Sequence, residues 1–178
     1  MAVTAQMVKE LRETTGAGMM DCQKALKEAD GNMERALELL REKGLSNAAK
    51  KAGRVAAEGL VDVVISDDNK VGAIVEVNSE TDFVAKNVEF QTFVKQVAEQ
   101  VTKSSSNTLE ELLAEKWLFE NDLNVQDALN NKIAIIAENL KIRRFVKFEK
   151  EGNGLLFPYI HANGRVGVLL ELATDVVN

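Results

Sequence analysis

The residues of this sequence that could carry proton chemistry are Glu76, Glu80, Asp82, Glu171 and the lone His161. Carboxylates paired with a histidine can act as general acid and base, provided they come within hydrogen-bond reach of one reacting group. These carboxylates fall at strand ends with no nucleophile at a productive spacing, and isolated carboxylates in such places are mostly solvated. Covalent catalysis is not expected, and neither a catalytic residue, a metal nor a cofactor is assigned. The more informative stretch is Glu76-Val-Asn-Ser-Glu-Thr-Asp-Phe-Val-Ala-Lys-Asn87, between an apolar run and a long helical pattern. Val71, Ala73, Val75 and Val77 share one face of a strand, Ile74 faces the other way, and Asn78, Ser79 and Thr81 offer helix caps. The stretch is therefore a strand-to-helix corner. Phe83, between Asp82 and Val84, has two possible uses there. It is a wedge carried at the tip of a polar turn, or the first buried residue of the next helix, and spacing by itself favours the second.

Composition narrows the chemistry further. The 178 residues are 46% hydrophobic with no apolar run near a bilayer span, and the amphipathic, charged N-terminus has no signal-peptide core. Cys22 is the single cysteine, which excludes a disulfide framework and favours a reducing, cytoplasmic setting. The net charge of −6 argues against non-specific grip on nucleic acid, which requires phosphates to be neutralised by Lys and Arg. A protein partner is the expected kind.

The elements that must position the corner follow from caps and periodicity. Thr4 caps a first helix carrying Met7, Val8 and Leu11, with Val3 and Val8 as its hydrophobic staple. Thr14-Thr15-Gly16-Ala17-Gly18 breaks it. Cys22, Ala25, Leu26 and Ala29 mark a second helix, and Met33, Ala36, Leu37 and Leu40 a third, which Gly44 is expected to close. Met19 and Met20 are adjacent at a loop-to-helix junction, where a helix face buries only one of the two well. The Thr-Gly-Ala-Gly loop lacks the preceding strand and the Gly-Lys-Ser/Thr ending of a phosphate-binding loop. Asn47 to Glu58, with Lys50, Lys51 and Arg54, reads as a helical linker.

From Gly59 the pattern turns to β. Leu60–Ile65 and Val71–Val77 flank a Ser-Asp-Asp-Asn-Lys hairpin connection. Phe90, Val94, Val97 and Val101 then recur on a helix. Thr108 caps another with Glu111 in a capping box, followed by Leu109, Leu112, Leu113 and Trp117. Asn124 opens a last helical pattern running to Leu140, and Ile142–Glu149 returns to β.

An internal repeat runs through this half at a constant offset of 95 residues. Gly59-Leu60-Val61 aligns with Gly154-Leu155-Leu156, Val71-Gly72 with Val166-Gly167, Ile74-Val75-Glu76-Val77 with Leu169-Leu170-Glu171-Leu172, and Ser79-Glu80 with Thr174-Asp175. The second copy stops where the first begins its helices, as expected of a shortened chain or a natural short form. Val166–Leu172 is then expected to expose an edge or an apolar face. The fold class is α+β: a three-helix module like ubiquitin-associated domains (residues 1–46), a helical linker (47–58), a first half-core of hairpin plus helices (59–141), and an incomplete second half-core of antiparallel strands (142–178).

Leu11-Arg-Glu-Thr-Thr-Gly-Ala-Gly-Met-Met-Asp-Cys-Gln-Lys-Ala-Leu26, Ala48-Ala-Lys-Lys-Ala52, Asn78-Ser-Glu-Thr-Asp-Phe-Val-Ala-Lys-Asn87, Ile142-Arg-Arg-Phe145 and Tyr159-Ile-His-Ala-Asn-Gly-Arg-Val-Gly-Val168 resemble, in order, segments of the bacterial elongation factor Ts family. The resemblance implies a guanine nucleotide exchange factor that binds elongation factor Tu, both GDP-bound and nucleotide-free, during translation elongation. It implies that Lys9, Arg12, Met19 and Met20 dock on the GTPase domain of that partner. Asp82 and Phe83, flanked by Thr81 and Val84, match the pair that intrudes near the partner's magnesium and switch region. His161 matches a histidine at the same interface, while the residues around it allow equally a loop-end packing role beside Pro158 and Tyr159. Neither direct nucleic-acid nor membrane binding is implied. Longer family members carry a helical dimerisation segment with no counterpart here, which leaves dimerisation open. The reading from another class is a generic adaptor that uses the three-helix module to hold a peptide or ubiquitin-like fold.

Overall fold

A computed structural model describes residues 2–174. Asp175, which the repeat pairs with Glu80, lies outside the described residues. The described residues form two compact units, one of residues up to 54 with 130–138, the other of residues 55–129 with those from 139 onward.

The first unit is built on helices α1 (Ala5–Thr15), α2 (Met19–Glu28) and α3 (Met33–Lys51). Thr4 Oγ1 accepts the Met7 N–H at 3.2 Å, and Asn32 Oδ1 accepts that of Arg35 at 3.0 Å, so α1 and α3 each begin on a side-chain cap. α1 ends at Gly16, whose φ of 66° is the left-handed value a helix C-cap favours. Val8, Leu11, Cys22, Ala25, Leu26, Ala29 and Ala36 form the core, with Val3, Met7, Met33, Leu37 and Leu40 packed at its margin. Burial raises the Cys22 thiol above its ordinary pKa, as suits a packing residue rather than a nucleophile.

One expectation fails here. Gly44 does not close the third helix, which continues through it to Lys51. Gly44 is buried, and a Cβ at that position would stand 3.8 Å from Ala134 and Asn131. The glycine admits a neighbouring segment instead of ending a helix. Lys50 and Lys51 therefore occupy the last turn of α3, where positive charge complements the helix dipole.

The second unit begins with β1 (Glu58–Ile65) and β2 (Val71–Ser79), an antiparallel hairpin joined to β3 (Lys141–Glu149) in the order β1-β2-β3. Between β2 and β3 run α4 (Asp82–Ala85), α5 (Val88–Lys103), α6 (Leu109–Ala114) and α7 (Val125–Ile136). The inward face of β2, Ala73, Val75 and Val77, is buried with Phe90, Phe93, Val94, Val97 and Val101 of α5. Thr108 and Glu111 form the expected capping box on α6. That helix is shorter than its apolar spacing suggests: Trp117 lies beyond its end, in a loop, buried and 5.8 Å from the Phe93 ring. Similarly α7 stops at Ile136, the next residue, Ala137, has a φ of 65°, and Leu140 is buried outside the helix. In both cases a buried apolar residue at helical spacing is held by tertiary packing instead of by the helix.

β4 (Gly154–His161) and β5 (Val166–Ala173) form a second antiparallel hairpin. Its register repeats that of the first: Gly59 pairs with Asn78 and Gly154 with Ala173, while Ile65 pairs with Gly72 and Ile160 with Gly167. Gly59 and Gly154 both take positive φ, 136° and 158°, and at each a Cβ would collide with a carbonyl oxygen of the opposite strand. The 95-residue repeat is thus a repeat of backbone geometry as well as of residue type.

Candidate functional site

The corner after β2 is braced on three sides. Ser79 Oγ donates to the Thr81 carbonyl at 3.0 Å, and the Asn139 N–H donates to Glu80 Oε1 at 2.6 Å. Asn78, buried at the strand end, donates through Nδ2 to the Glu58 carbonyl at 3.0 Å. The chain then makes the single turn of α4, and Asn87 caps α5 by accepting the Glu89 N–H at 2.8 Å. Thr81 sits at the N-cap position of α4 without a side-chain capping bond.

Within that turn the two uses of Phe83 separate. Val84 is 8% exposed and Phe83 78% exposed. Val84 starts the buried face of the helix, and the phenyl ring stands out in water. A benzyl group left so exposed on a braced turn forgoes about 1.5–3 kcal/mol of burial, which a binding partner can recover. Val84, expected beside Phe83 at a partner interface, is buried in the free chain. It anchors the turn from beneath.

Lys86 follows Phe83 at the end of the turn. Its Nζ is 3.0 Å from Asp82 Oδ2 and 5.6 Å from the Phe83 ring centroid. The hydrogen bond and charge of Lys86 hold the Asp82 carboxyl below its ordinary pKa, with a smaller contribution from Arg165. Below the turn lies a cleft of about 440 Å³ whose lining includes Asp62, Asp82, Lys86, Gln91, Gly164 and Arg165. The turn joining β4 to β5 thus reaches the corner. His161, by contrast, is absent from that lining: its Nδ1 is 3.2 Å from the Tyr159 hydroxyl and the two rings stack.

Two of the carboxylates considered for proton chemistry, Glu76 and Glu80, serve as structural acceptors. Glu76 is 2.7 Å from Arg144 and 3.5 Å from Arg143, and Glu80 holds the Asn139 amide. Among the described residues no group of three His, Cys, Asp or Glu could hold a metal ion, and no helix is long and apolar enough to cross a membrane.

In the first unit, Met19 and Met20 open α2 and are 59% and 65% exposed. Helix geometry allowed one of them to be buried, but Cys22, Ala25 and Leu26 take the inward positions and leave both outside. Asp21 beside them accepts from Lys43 Nζ at 2.6 Å. Lys9 and Arg12 are exposed on α1, Lys9 lying 3.7 Å from Glu13.

Sequence reasoning overlooked two acidic groups of the second unit. Asp62, in the cleft, has its carboxyl pushed above the ordinary range by burial, against the opposing Val63 N–H and Lys95 charge. Glu115 is also partly buried, which by itself would raise its pKa. Hydrogen bonds from Ser106, Ser104 and Gln100 outweigh the burial and hold it low. Glu115 Oε1 accepts from Ser104 Oγ at 2.7 Å and from Ser106 Oγ at 2.6 Å, fastening the C-terminal end of α5. The Ser-rich stretch after α5 was the available signal, but it reads as an ordinary helix stop.

Comparison with known proteins gives one consistent result. The sequence profile of the family described as Elongation factor TS matches residues 80–178. Elongation factor Ts of Clostridium perfringens (strain SM101 / Type A) is 59% identical over 173 residues, which is 97% of this chain and 56% of that protein. Those of Clostridium botulinum (strain Eklund 17B / Type B) and Clostridioides difficile (strain 630) are each 57% identical over 98% and 97% of this chain. The chain spans 56% of the length of these curated relatives.

Proposed function

This chain belongs to the elongation factor Ts family, and from that premise we propose that it binds elongation factor Tu carrying GDP and promotes release of the nucleotide. The observation that carries the reading is Phe83, an exposed ring at the tip of a turn whose base is buried and hydrogen-bonded. Asp82 and Phe83 enter near the magnesium and switch region of the partner's GTPase domain, displacing the groups that hold the nucleotide. Lys9, Arg12, Met19 and Met20 dock the helical module on the same domain. The residues 81–84 divide this work: Asp82 and Phe83 enter, Thr81 lies at the rim, and Val84 holds the turn. His161 with Tyr159 supplies a further contact from the second hairpin. No covalent bond is made or broken, so the process is exchange and not catalysis of a reaction.

Magnitudes show why both regions are needed. A thousandfold acceleration of GDP release corresponds to about 4 kcal/mol. Burial of one Phe side chain yields about 1.5–3 kcal/mol, so Phe83 cannot act alone and docking must contribute the remainder. Coupling between two ligands of one protein is reciprocal, so GDP weakens the grip of this chain on its partner by the factor by which this chain weakens the binding of GDP.

The exposed Met19 and Met20 also support a second reading, a generic adaptor whose helical module holds a peptide or a ubiquitin-like fold. Titrating GDP and magnesium into a complex of the chain with elongation factor Tu separates the two. An exchange factor dissociates as nucleotide is added. An adaptor keeps its affinity.

A further inference from the structure

We propose that Lys86 is a positioning residue for the Asp82–Phe83 tip, holding carboxylate and ring in one arrangement before the partner arrives. The proposal rests on the exchange reading above. Its ground is the geometry of a single ammonium group that reaches both side chains, 3.0 Å from Asp82 Oδ2 and 5.6 Å from the Phe83 centroid. Positions 82, 83 and 86 are spaced so that one helical turn brings Lys86 over both, at i+4 from Asp82 and i+3 from Phe83. A cation within about 6 Å of a ring centroid is attracted to the face of the ring.

Position matters because α4 is a single turn of four residues, too short to be stable on its own. Val84, Ser79 and Glu80 fix the backbone of the corner, yet they leave the Phe83 ring in solvent. Any rotamer freedom that the ring and the carboxylate keep in the free protein is lost on insertion and slows it. Lys86 removes part of that freedom beforehand. Arg165, on the turn between β4 and β5, is the other cation acting on Asp82, and it lies 3.9 Å from Glu58, so its charge is shared. Lys86 is therefore the cation committed to the tip.

The test compares five proteins: the unmodified chain, Lys86→Met, Lys86→Arg, Asp82→Asn, and Lys86→Met combined with Asp82→Asn. The rate of release of a fluorescent GDP analogue from elongation factor Tu is followed against the concentration of each. Lys86→Met is expected to lower the limiting rate at saturation by about fivefold, the upper range for an exposed ion pair, with a smaller change in the half-saturating concentration. Lys86→Arg keeps the charge and restores most of the rate. Removing Asp82 as well adds less than its own single effect, and the Asp82 carboxyl, followed by NMR in Lys86→Met, titrates closer to its ordinary value. A Lys86→Met protein with the unmodified limiting rate overturns the proposal, as does a loss confined to the half-saturating concentration, which would make Lys86 a docking contact. Both results leave the exchange reading standing. If the unmodified chain itself gives no acceleration, the exchange reading fails and this proposal falls with it.

Discussion

The two hairpins of the second unit share a register, a glycine at the same strained position and a similar complement of apolar residues, yet only the first is covered on both faces. In β2, Ala73, Val75 and Val77 are buried with the apolar stripe of α5. Their counterparts in β5, Val168, Leu170 and Leu172, are exposed, and across the strand pair so are Leu155, Phe157 and Tyr159. The opposite face of the second hairpin is engaged: a Cβ on Gly72 would meet Leu169 at 3.0 Å and Leu156 at 3.3 Å. Strand pattern alone does not determine burial, and the layer laid over a face does. The same contrast explains why the first hairpin can carry a braced corner with an exposed ring. Its covering helix begins immediately after the corner and pulls Val84 inward, leaving Phe83 outside.

Matched substitutions at repeat-equivalent positions can break this comparison. The largest difference is expected from Val75→Asp and Leu170→Asp. The first buries an unpaired carboxylate and costs more than about 4 kcal/mol, a large share of a domain's stability. The second changes a solvent-facing residue and stays within about 0.5 kcal/mol in this chain. Urea denaturation measures both, and equal losses would show that the second face is covered in solution.

Gly59→Ala and Gly154→Ala impose the same collision in the two copies. In the first hairpin the strain has little release, because the colliding Val77 carbonyl belongs to β2, the central strand held between β1 and β3, and the cost is on the order of 3 kcal/mol. In the second hairpin the strands can part locally, so the global midpoint moves less and amide protection is lost in residues 154–173. Equal midpoint shifts would contradict the difference in anchoring.

A smaller effect is expected from loosening the cover itself through Glu115→Gln. The folded-state pKa of Glu115 is depressed, so its contribution is present above the unfolded-state value and is lost as pH falls through the folded value. The variant should be less stable by about 1–2 kcal/mol near neutral pH, with the gap closing in acid. Thermal melts of both proteins from neutral to acidic pH give the comparison. A gap that is independent of pH would remove the carboxylate from the account.

What the sequence made legible was local or repeated. The caps at Thr4 and Thr108, the strands bounded by β-branched runs and the 95-residue repeat each depend on residues close in sequence or on self-similarity, and all are present in the structure. What escaped reading depended on distant neighbours. Gly44 looks like a helix terminator until residues 131 and 134 are found beside it. Trp117 and Leu140 keep helical spacing although tertiary contacts bury them beyond the helix ends. Phe83 was ambiguous because a residue at the first turn of a helix can face either way, and only the inward rotation of Val84 decides it. Glu115 gathers side chains up to 15 residues away, which no local pattern announces.

The most direct test of the central claim is the release of a fluorescent GDP analogue from elongation factor Tu in the presence of this chain or of Phe83→Ala, with circular dichroism confirming that both are folded. The account predicts clear acceleration by the unmodified chain and a loss of at least tenfold in the variant, the equivalent of about 1.4 kcal/mol of lost ring burial. Equal acceleration by both proteins would contradict it and move the exchange mechanism away from the exposed ring.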